Sequence, residues 1–533
     1  MLSLLFAIPS PFIFAISSKV YLQSTPTMST FRSAILLAFS LTVRIAYAEN
    51  NASVRIPASF NPTVPGLNRV QYELGPQLSP AAKIYLPGNA LYGEATTRWN
   101  SAMHPDFAAV VVPINNEDVA IAVRYANKNS VPFLTVNRGL GSSTDLNTLR
   151  HGISIYLDNL DSITIASDGQ SAILGGGVST DQLIKTLAAK GKVAATTAVT
   201  CVGVVGAGLG GGMGMYQGLY GLVADNFLEM TIVTADGSIV TANERQNADL
   251  FWAMRGAGHN FGIVTSYVYK IYDNIPTWYV ASYQYTHDKV DAVFIELDKL
   301  NNNGKQPKEL TVYTVFASNP SISNEPVIIL SIWHAGPSSS AVRYTQPFLN
   351  LGPALLTNQT VPYANLADAV GIGIQGPFCQ SGMSHASFPV GVQKLNTIHQ
   401  VYDLYADLIT KRPEFQGSFV QIEGYPMQGV QAVGGANTAY AHRGDNLLVA
   451  FQATYPPSPS SDGIALLYGH RFSSLFHAGD APGRPLNTYV NYAYGDETLE
   501  QVYGYEEWRI RKLKTLKKQW DPHGRFNYFH PIL

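Results

Sequence analysis

The sequence predicts an α+β protein in which a two-lobed α/β region precedes a region built on an antiparallel sheet with helices on one face. Three observations support this expectation. Short apolar runs alternate with amphipathic helical segments between residues 108 and 234. After residue 279, strand patterns dominate and helical patterns come between them. Two glycine-rich segments, 139–143 and 206–212, interrupt the first region and predict loops that other groups can approach closely.

The strands and helices of the first region follow from apolar periodicity. Its strands are expected at 108–112, 132–136, 153–157, 171–174 and 230–234. A helix is expected at 117–129, because four apolar residues fall on one face: Val119, Ala122, Val123 and Ala126. A second helix is expected at 179–190. Ser179 and Gln182 have capping-box spacing at its start, and Gly191 ends it.

The second region shows strand patterns at 312–316 and 327–332 and a helical pattern at 399–411. Near the C-terminus, residues 496–520 predict one charged helix, and Asp521 to Asn527 ends it. No basic run occurs before this helix, and the net charge is −2, so nucleic-acid binding has no support.

The first 48 residues have the layout of a targeting segment. Starting from Met28, a basic residue precedes an apolar run at 34–39, and the small residues at 46 and 48 form a cleavage motif. We therefore expect a signal peptide that is removed after Ala48, and secretion of the mature chain. The sequence leaves open whether translation starts at Met1 or Met28. Neither apolar stretch reaches the ~18 residues of a membrane helix, so the mature chain is not expected to span a membrane.

Residues 49–100 are rich in Pro, Asn and Gly, which predicts an N-terminal arm packed on the main body. Glycosylation sequons at Asn51 and Asn358 fit a secretory route. The two cysteines, Cys201 and Cys379, fall in different predicted regions, so a disulfide between them is not expected.

The segment from Asn137 to Ser143 follows a predicted buried strand and predicts an anion-binding loop. Glycine lets backbone N–H groups converge into a nest for phosphate oxygens, and Arg138 adds a positive fork beside it. The second glycine segment satisfies the dinucleotide fingerprint G-x-G-x-x-G at 206–211. That fingerprint requires a strand directly before the turn, whereas a helix and a long loop come first here, so a Rossmann fold is not favoured.

Further motifs follow the two loops in a fixed order. They are Tyr220 to Asn226, Val233 to Gly237, Asp249 to Gly256 and Gly258 to Thr265. In this order and spacing the chain resembles the flavoproteins of the vanillyl-alcohol oxidase and p-cresol methylhydroxylase superfamily. The nearer branch resembles the berberine-bridge-enzyme-like oxidases, and within it the fungal enzymes of secondary metabolism. The resemblance is strong over residues 100–275, good over the last fifty residues and weaker between them.

The resemblance implies a p-cresol-methylhydroxylase-type FAD-binding domain at 101–275, a substrate-binding domain at 276–480, and a segment at 481–533 that returns to the FAD domain. It also implies the residues that bind FAD. They are Asn137, Arg138, Gly139, Leu140, Gly141, Ser142, Ser143, Val199, Gly203, Gly206, Gly210, Gly211, Gly212, Asp225, Gly262, Ile263, Val264 and Asn491.

The chain departs from the family pattern at the two covalent flavin anchors. Many relatives carry a histidine in the middle of the first G-x-G, where this chain has Leu140. A second anchor, a cysteine, corresponds to Val199, and Cys201 is displaced from it by ~7 Å in extended backbone. A small buried side chain is therefore the expected role of Cys201, and non-covalent FAD is predicted.

The catalytic residues implied by the resemblance are Tyr489 and Asn491 of a Tyr-x-Asn motif. Tyr489 is expected to act as a hydrogen-bond donor, or as a base if its pKa is lowered. Glu423 lies on a strand expected to face the pocket and could take the substrate proton. The residues of the Ala441-His442-Arg443 segment and His259 are expected to matter for structure. No metal-ligand spacing occurs in the sequence.

The predicted function is oxidation of a small organic substrate, a secondary metabolite, by hydride transfer to FAD, with oxygen as the reoxidant. Three alternatives stay open at this point. They are a flavin-containing cyclase without net redox change, a secreted oligosaccharide oxidase, and a catalytically dead binding protein.

Overall fold

The structure, a computed structural model, describes residues 65–302 and 304–533. The predicted leader, the glycosylation site Asn51 and residues 49–64 of the predicted arm lie outside the described residues. Within the described ranges, none of the helices has the length and apolar character that crossing a membrane requires.

The first sheet has four strands in the order β1-β2-β4-β3, and β2, β4 and β3 run parallel. The strands are β1 (Lys83–Tyr85), β2 (Phe107–Val112), β3 (Phe133–Val136) and β4 (Gly152–Tyr156). The helices of this part are α1 (Pro65–Leu74), α2 (Ala90–Thr96) and α3 (Asn116–Lys128). Helix α3 connects β2 to β3 and buries the apolar face that its periodicity predicts, since Val119, Ala122 and Val123 are fully buried.

Seven more strands follow along the chain. They are β5 (Ile163–Ile165), β6 (Ser171–Gly175), β7 (Lys192–Val193), β8 (Phe227–Val233), β9 (Ile239–Asn243), β10 (Ile263–Lys270) and β11 (Tyr272–Asp273). Five of them form an antiparallel sheet in the order β5-β6-β10-β8-β9, and β7 pairs with β11. The helices are α4 (Thr180–Ala188), α5 (Val204–Gly208), α6 (Gln217–Tyr220) and α7 (Ala248–Ala257). Ser179 caps α4 by accepting from the Gln182 backbone N–H at 3.2 Å.

The third sheet is antiparallel and has seven strands in the order β15-β12-β14-β13-β17-β18-β16. They are β12 (Trp278–Tyr285), β13 (Leu310–Ala317), β14 (Val327–Ala335), β15 (Leu355–Val361), β16 (Ser384–Val392), β17 (Phe419–Gly424) and β18 (Leu447–Tyr455). Six helices accompany it: α8 (Val290–Asn301), α9 (Ser338–Leu349), α10 (Tyr363–Ala369), α11 (Ile398–Lys411), α12 (Gln428–Gln431) and α13 (Pro459–Ala478). This arrangement confirms the predicted α+β class.

The two faces of the third sheet differ in chemistry because alternate residues of a strand point to opposite sides. Val420 and Ile422 of β17 belong to a core cluster that also contains residues of α8, α9, α11 and α13. Gln421 and Glu423 of the same strand point to the other face. That face carries polar side chains at the centre of the sheet, and it forms one wall of the candidate site.

The predicted single helix at 496–520 is wrong. The chain forms two helices there, α14 (Leu499–Tyr503) and α15 (Glu507–Trp520). Gly504 separates them with a φ of +100°, which stops α14, and Thr498 caps the start of α14 with Gln501. After α15, Asp521 accepts hydrogen bonds from Lys517 and from two backbone N–H groups, so the last residues fold back along the helix.

The expectation that the two cysteines are unpaired is also wrong. Cys201 and Cys379 form a disulfide with a Cα–Cα distance of 5.9 Å. The segment after α10 folds back onto the loop before α5, where the backbone N–H of Thr200 donates to the Ile372 carbonyl at 3.3 Å. The disulfide could not be predicted from local sequence, because its two cysteines lie 178 residues apart in the chain.

Candidate functional site

A large cavity lies between the glycine loops and the polar face of the third sheet. It offers about 320 Å³ to the centres of water molecules. One wall consists of residues 137–142, 202–207 and 262–264. The opposite wall comes from the third sheet and includes Tyr313, Ser387, Gln421 and Gln452.

Most of the residues predicted to bind a cofactor line this cavity. They are Asn137, Arg138, Gly139, Leu140, Gly141, Ser142, Val199, Gly203, Gly206, Gly262, Ile263, Val264 and Asn491. The predicted catalytic residue Tyr489 lines it as well. Ser143, the three glycines 210–212, Asp225 and Glu423 do not belong to the lining.

The loop at 137–142 is fixed from several directions. Asn137 Nδ2 donates to the Gly176 carbonyl at 2.6 Å, and Arg138 pairs with Asp158 at 2.6 Å. Gly139 has a φ of +69°, a conformation that a side chain would strain. The loop is therefore held in a shape that exposes its backbone to the cavity.

Arg98 is a second cation at this loop, and sequence reasoning did not identify it. Its guanidinium donates to the Gly141 carbonyl at 2.7 Å and lines the cavity. Burial lowers the pKa of Arg98 to about 10, so the group stays charged at neutral pH. No local pattern in the sequence predicts the position of Arg98, because the contact joins the irregular segment before β2 to a loop 43 residues later.

Trp99 and His385 join the N-terminal segment to β16. The Trp99 ring stacks on the His385 ring at 4.0 Å between centroids, and its indole N–H donates to the Phe378 carbonyl at 2.8 Å. Trp99 and Phe378 both line the cavity. Sequence reasoning missed this aromatic wall too, since its parts lie almost 300 residues apart.

The three glycines at 210–212 allow other side chains to pack closely against this loop. A Cβ at Gly210 would lie 2.1 Å from Asn491 Oδ1, and one at Gly211 would lie 2.8 Å from the Tyr440 ring. Gly211 and Gly212 also have φ values of +113° and +79°. Gly210 therefore lets the Tyr-x-Asn segment approach the loop, Gly211 does the same for Tyr440, and neither lines the cavity. Ser143 caps a short helical turn by accepting from the Asp145 backbone N–H.

The position of Asp225 does not match its predicted role in cofactor binding. Its carboxylate is buried and accepts two hydrogen bonds from Arg443, at 2.6 and 2.9 Å. It also accepts from the Leu222 backbone N–H at 3.0 Å. Asp225 and Arg443 therefore form a buried ion pair, and the structural role expected for the His442-Arg443 segment is consistent with it.

His259, whose expected role was structural, lines the cavity. The imidazole Nε2–H donates to the Gly206 carbonyl at 2.9 Å and packs against Phe529. Burial lowers the pKa of His259 to about 4, so the ring is neutral at physiological pH.

The surroundings of the Tyr489 hydroxyl favour the predicted role of hydrogen-bond donor over that of base. Its hydroxyl oxygen accepts from the Gly212 backbone N–H at 3.1 Å and from Asn491 Nδ2 at 2.8 Å. Both lone pairs are thereby used, which leaves its O–H free to donate. Burial raises the pKa of Tyr489 to about 12, so the hypothesis of a lowered pKa is wrong.

Glu423 lies directly behind the cavity wall and does not touch the cavity. Its Oε1 accepts hydrogen bonds from three side chains: Gln421 at 2.6 Å, Tyr313 at 3.2 Å and Tyr492 at 3.2 Å. All three of these residues line the cavity. Burial raises the pKa of Glu423 to about 7, and hydrogen bonds from tyrosine hydroxyls oppose this rise. Such a carboxylate can exchange a proton with the cavity through a tyrosine hydroxyl.

The donor set at the loop end fits an anionic, phosphate-bearing cofactor. The Nε–H groups of Arg98 and Arg138 are buried and have no hydrogen-bond partner among the described residues. The glycine loop presents its backbone beside them, and the cavity continues from there to the tyrosines of the third sheet. Within the same ranges, no group of His, Cys, Asp and Glu could hold a metal ion.

Comparison with known proteins agrees with this geometry. The FAD binding domain family matches residues 107–243. The FAD-linked oxidoreductase anuG of Penicillium roqueforti is 38% identical over 87% of this chain and 92% of its own length. The FAD-linked oxidoreductase OXR2 of Pyricularia oryzae is 40% identical over 87% of this chain and 91% of its own length.

Solved structures show the same fold. A xylooligosaccharide oxidase from Myceliophthora thermophila superposes with a TM-score of 0.75 at 21% identity, over 87% of this chain and 98% of that chain. BBE-like 1 of Physcomitrella patens gives a TM-score of 0.71 at 22% identity, over 88% and 98%. The chain belongs to the FAD-linked oxidoreductases, and it shares its fold with the BBE-like and oligosaccharide oxidase structures.

Proposed function

We propose that this oxidoreductase binds FAD without a covalent bond and oxidises a small, flat, hydroxyl-bearing organic substrate of secondary metabolism. Glu423 is the base, and it takes the substrate proton through the hydroxyl of Tyr313 or Tyr492. The observation that carries the proposal is the buried Glu423 carboxylate, which is linked to the cavity by two tyrosines and has a pKa raised to about 7.

Non-covalent binding is supported by the side chains at the two anchor positions. Leu140 and Val199 both line the cavity, and neither carries a nucleophile. The sulfur of Cys201 is held in the disulfide with Cys379, so it is not a free thiolate.

Arg98, Arg138 and the backbone of 139–142 would hold the pyrophosphate of FAD. Bound FAD would supply the acceptor for the two electrons that leave the substrate. The chain's own residues act on the proton. Tyr489 donates its O–H towards the cavity, and Asn491 fixes Tyr489 by donating to it at 2.8 Å.

The proton leaves the substrate by a concerted transfer. As the substrate hydroxyl loses its proton to the oxygen of Tyr492 or Tyr313, that tyrosine passes its own proton to Glu423 Oε1. Free tyrosinate is avoided, because burial holds the pKa values of both tyrosines well above 10. The negative charge ends on the substrate oxygen, which favours departure of hydride from the neighbouring carbon.

The substrate class is inferred from the wall of the cavity. Five aromatic side chains line the cavity: Trp99, Tyr313, Phe378, Tyr425 and Tyr492. Rings at these positions favour a conjugated, planar substrate by stacking. The amides of Gln421 and Gln452 and the hydroxyl of Ser387 would fix its polar groups.

The first experiment tests the form of the cofactor. Purified enzyme is precipitated with acid, and the visible spectra of supernatant and pellet are recorded. A yellow supernatant with an FAD spectrum is expected. Colour that stays in the pellet would contradict non-covalent binding. A protein that remains colourless after FAD is added would favour the dead binding protein.

The second experiment separates the functional alternatives with three probes: cinnamyl alcohol, vanillyl alcohol and xylobiose. We expect an aromatic alcohol to bleach the flavin without oxygen and to yield peroxide when oxygen is admitted. Turnover of xylobiose alone would instead support an oligosaccharide oxidase. A pathway intermediate that is converted anaerobically without bleaching would support the redox-neutral cyclase.

Secretion after cleavage at Ala48 and glycosylation at Asn51 and Asn358 remain part of the proposal. Asn358 is exposed on β15, an edge strand of the third sheet, where a glycan would meet no neighbouring strand on one side. Mass spectrometry of the secreted protein, before and after glycosidase treatment, tests both modifications and the mature N-terminus.

A further inference from the structure

Glu423 separates the large cavity from a second, much smaller one. We call the smaller one the rear pocket and define it by Glu423, Tyr425, Tyr440, His442, Asp445 and Asn446. It offers about 10 Å³ to the centre of a water molecule. This is close to the smallest volume that holds one water.

Two buried polar atoms belong to residues of the rear pocket and lack a hydrogen-bond partner among the described residues. They are Glu423 Oε2 and the hydroxyl of Tyr440. A buried carboxylate oxygen without a hydrogen-bond partner is unfavourable, so a bridging water is strongly favoured where there is room for it. A single water between these atoms could donate to Glu423 and exchange a hydrogen bond with Tyr440.

The two oxygens of Glu423 have different surroundings. Oε1 accepts from Gln421, Tyr313 and Tyr492, all of which line the large cavity. Oε2 has none of these contacts, and Glu423 itself lines only the rear pocket. Tyr425, whose hydroxyl also faces the Glu423 carboxylate and lowers its pKa, lines both cavities. The far side of the rear pocket is formed by residues 445–447, next to the exposed Gly444.

We propose that the rear pocket holds a water that carries the catalytic proton from Glu423 to solvent, and that Tyr440 is the positioning residue for this water. The inference rests on the proposed role of Glu423 as the base. A base must lose its proton before the next turnover, and the route through the large cavity is blocked while product occupies it.

The proton balance closes without a further reactant. Protonated Glu423 rotates about its Cγ–Cδ bond, a torsion with broad twofold minima, and turns its O–H towards the rear pocket. The O–H bond of Glu423 breaks as an O–H bond to the water forms, and the water passes one of its other protons to bulk water on the side of the exposed Gly444. Only a proton moves, and Glu423 returns to its anionic form.

The test follows the protonated Glu423 carboxyl by infrared spectroscopy below pH 7, in holoenzyme saturated with the aldehyde product of an aromatic alcohol so that the large cavity is occupied. Its carbonyl band shifts when the proton is replaced by deuterium, so stopped-flow mixing with D2O gives the exchange rate. Tyr440→Phe keeps the ring that packs on Gly211 and removes the hydroxyl. We expect it to slow exchange by roughly 10-fold. A high-resolution structure of the native enzyme should show the water.

Tyr267→Phe is the matched control. Tyr267 is also buried and its hydroxyl also lacks a partner among the described residues, but it lies in the core of the second sheet. We expect no change in exchange for this variant. An unchanged rate in Tyr440→Phe would overturn the inference, and so would slowing by Tyr492→Phe alone. A band that is absent below pH 7, or that survives in Glu423→Gln, would instead overturn the proposed base.

Discussion

Tyr489 and Glu423, two of the predicted catalytic residues, differ in their hydrogen-bond partners and in the pKa that burial produces. Tyr489 accepts two hydrogen bonds and its pKa is raised to about 12, so it serves as a donor at neutral pH. Glu423 is buried among tyrosines and its pKa is raised to about 7, which suits a group that takes and releases a proton in each turnover. Burial raises both pKa values, yet only that of Glu423 moves into the physiological range.

The pH dependence of the enzyme should therefore report Glu423. The group acts as a base only when ionised, and its pKa is raised to about 7, so kcat/KM should rise with pH up to about 7 and then level off. Glu423→Gln should lower kcat by roughly 10²–10⁴-fold and remove this pH dependence. Steady-state kinetics from pH 5 to 9 with an aromatic alcohol measure both effects.

The glutamine variant preserves the shape of the side chain and its contact with Tyr313 and Tyr492, so FAD content should match that of the native enzyme. A variant that keeps its activity and its pH profile would exclude Glu423 as the base.

At the scale of elements, the disulfide determines one wall of the cavity. Cys201 lies in the loop before α5, two residues from Val199, and Cys379 follows Phe378 directly. Val199, Ile372 and Phe378 all line the cavity, so the bond holds the segment between α10 and β16 against the glycine loops. The substrate side of the site would otherwise depend on a few hydrogen bonds for its shape.

Replacement of both cysteines by serine should destabilise the protein by about 2–5 kcal/mol, because a long closed loop is released in the unfolded chain. Urea denaturation measures this difference. The KM for an aromatic alcohol should rise as the wall loosens, with a smaller effect on kcat.

Reduced native enzyme provides the control, since dithiothreitol should bring it to the stability of the double variant. Thiol titration of the denatured, unreduced protein should find none. Two reactive thiols in that assay would show that the disulfide does not form in solution.

At the scale of the whole molecule, a buried ion pair connects parts of the chain that lie 218 residues apart in sequence. Asp225 precedes β8 of the second sheet, and Arg443 precedes β18 of the third sheet. Arg443 also donates to the Val430 carbonyl and to Thr438, and Asp225 is its counter-charge, while its Nε–H has no partner among the described residues. The pair holds together the two regions whose walls face each other across the cavity.

Asp225→Asn should destabilise the protein by about 3–5 kcal/mol, because it leaves Arg443 buried without its counter-charge. The melting temperature should fall with and without FAD. Asp181→Asn is the matched control, because it breaks an exposed ion pair with Lys185 in α4. It should lower the free energy of unfolding by about 1 kcal/mol at most. If Asp225→Asn lost FAD and kept its stability, the sequence-based assignment to cofactor binding would be right after all.

Local sequence was sufficient for much of the fold. The strands at 108–112, 153–157 and 327–332 and the helix at 399–411 are found within a few residues of their expected bounds, because apolar periodicity alone reports which face is buried. The charged segment at 496–520 was predicted as one helix, whereas the structure has two helices there. Gly504 breaks it, and a single glycine in a helical pattern does not reveal its own φ. The domain boundaries at 100, 275 and 480 remain predictions.

Three features could be predicted from residues that are neighbours in the chain: the α+β class, the glycine loop around Arg138, and the absence of a nucleophile at Leu140 and Val199. Three others became visible only in the folded molecule. They are the pairing of Cys201 with Cys379, the approach of Arg98 to the loop, and the surroundings of Glu423. Pairing, burial and pKa depend on groups brought together across hundreds of residues, and no local pattern encodes which groups will meet.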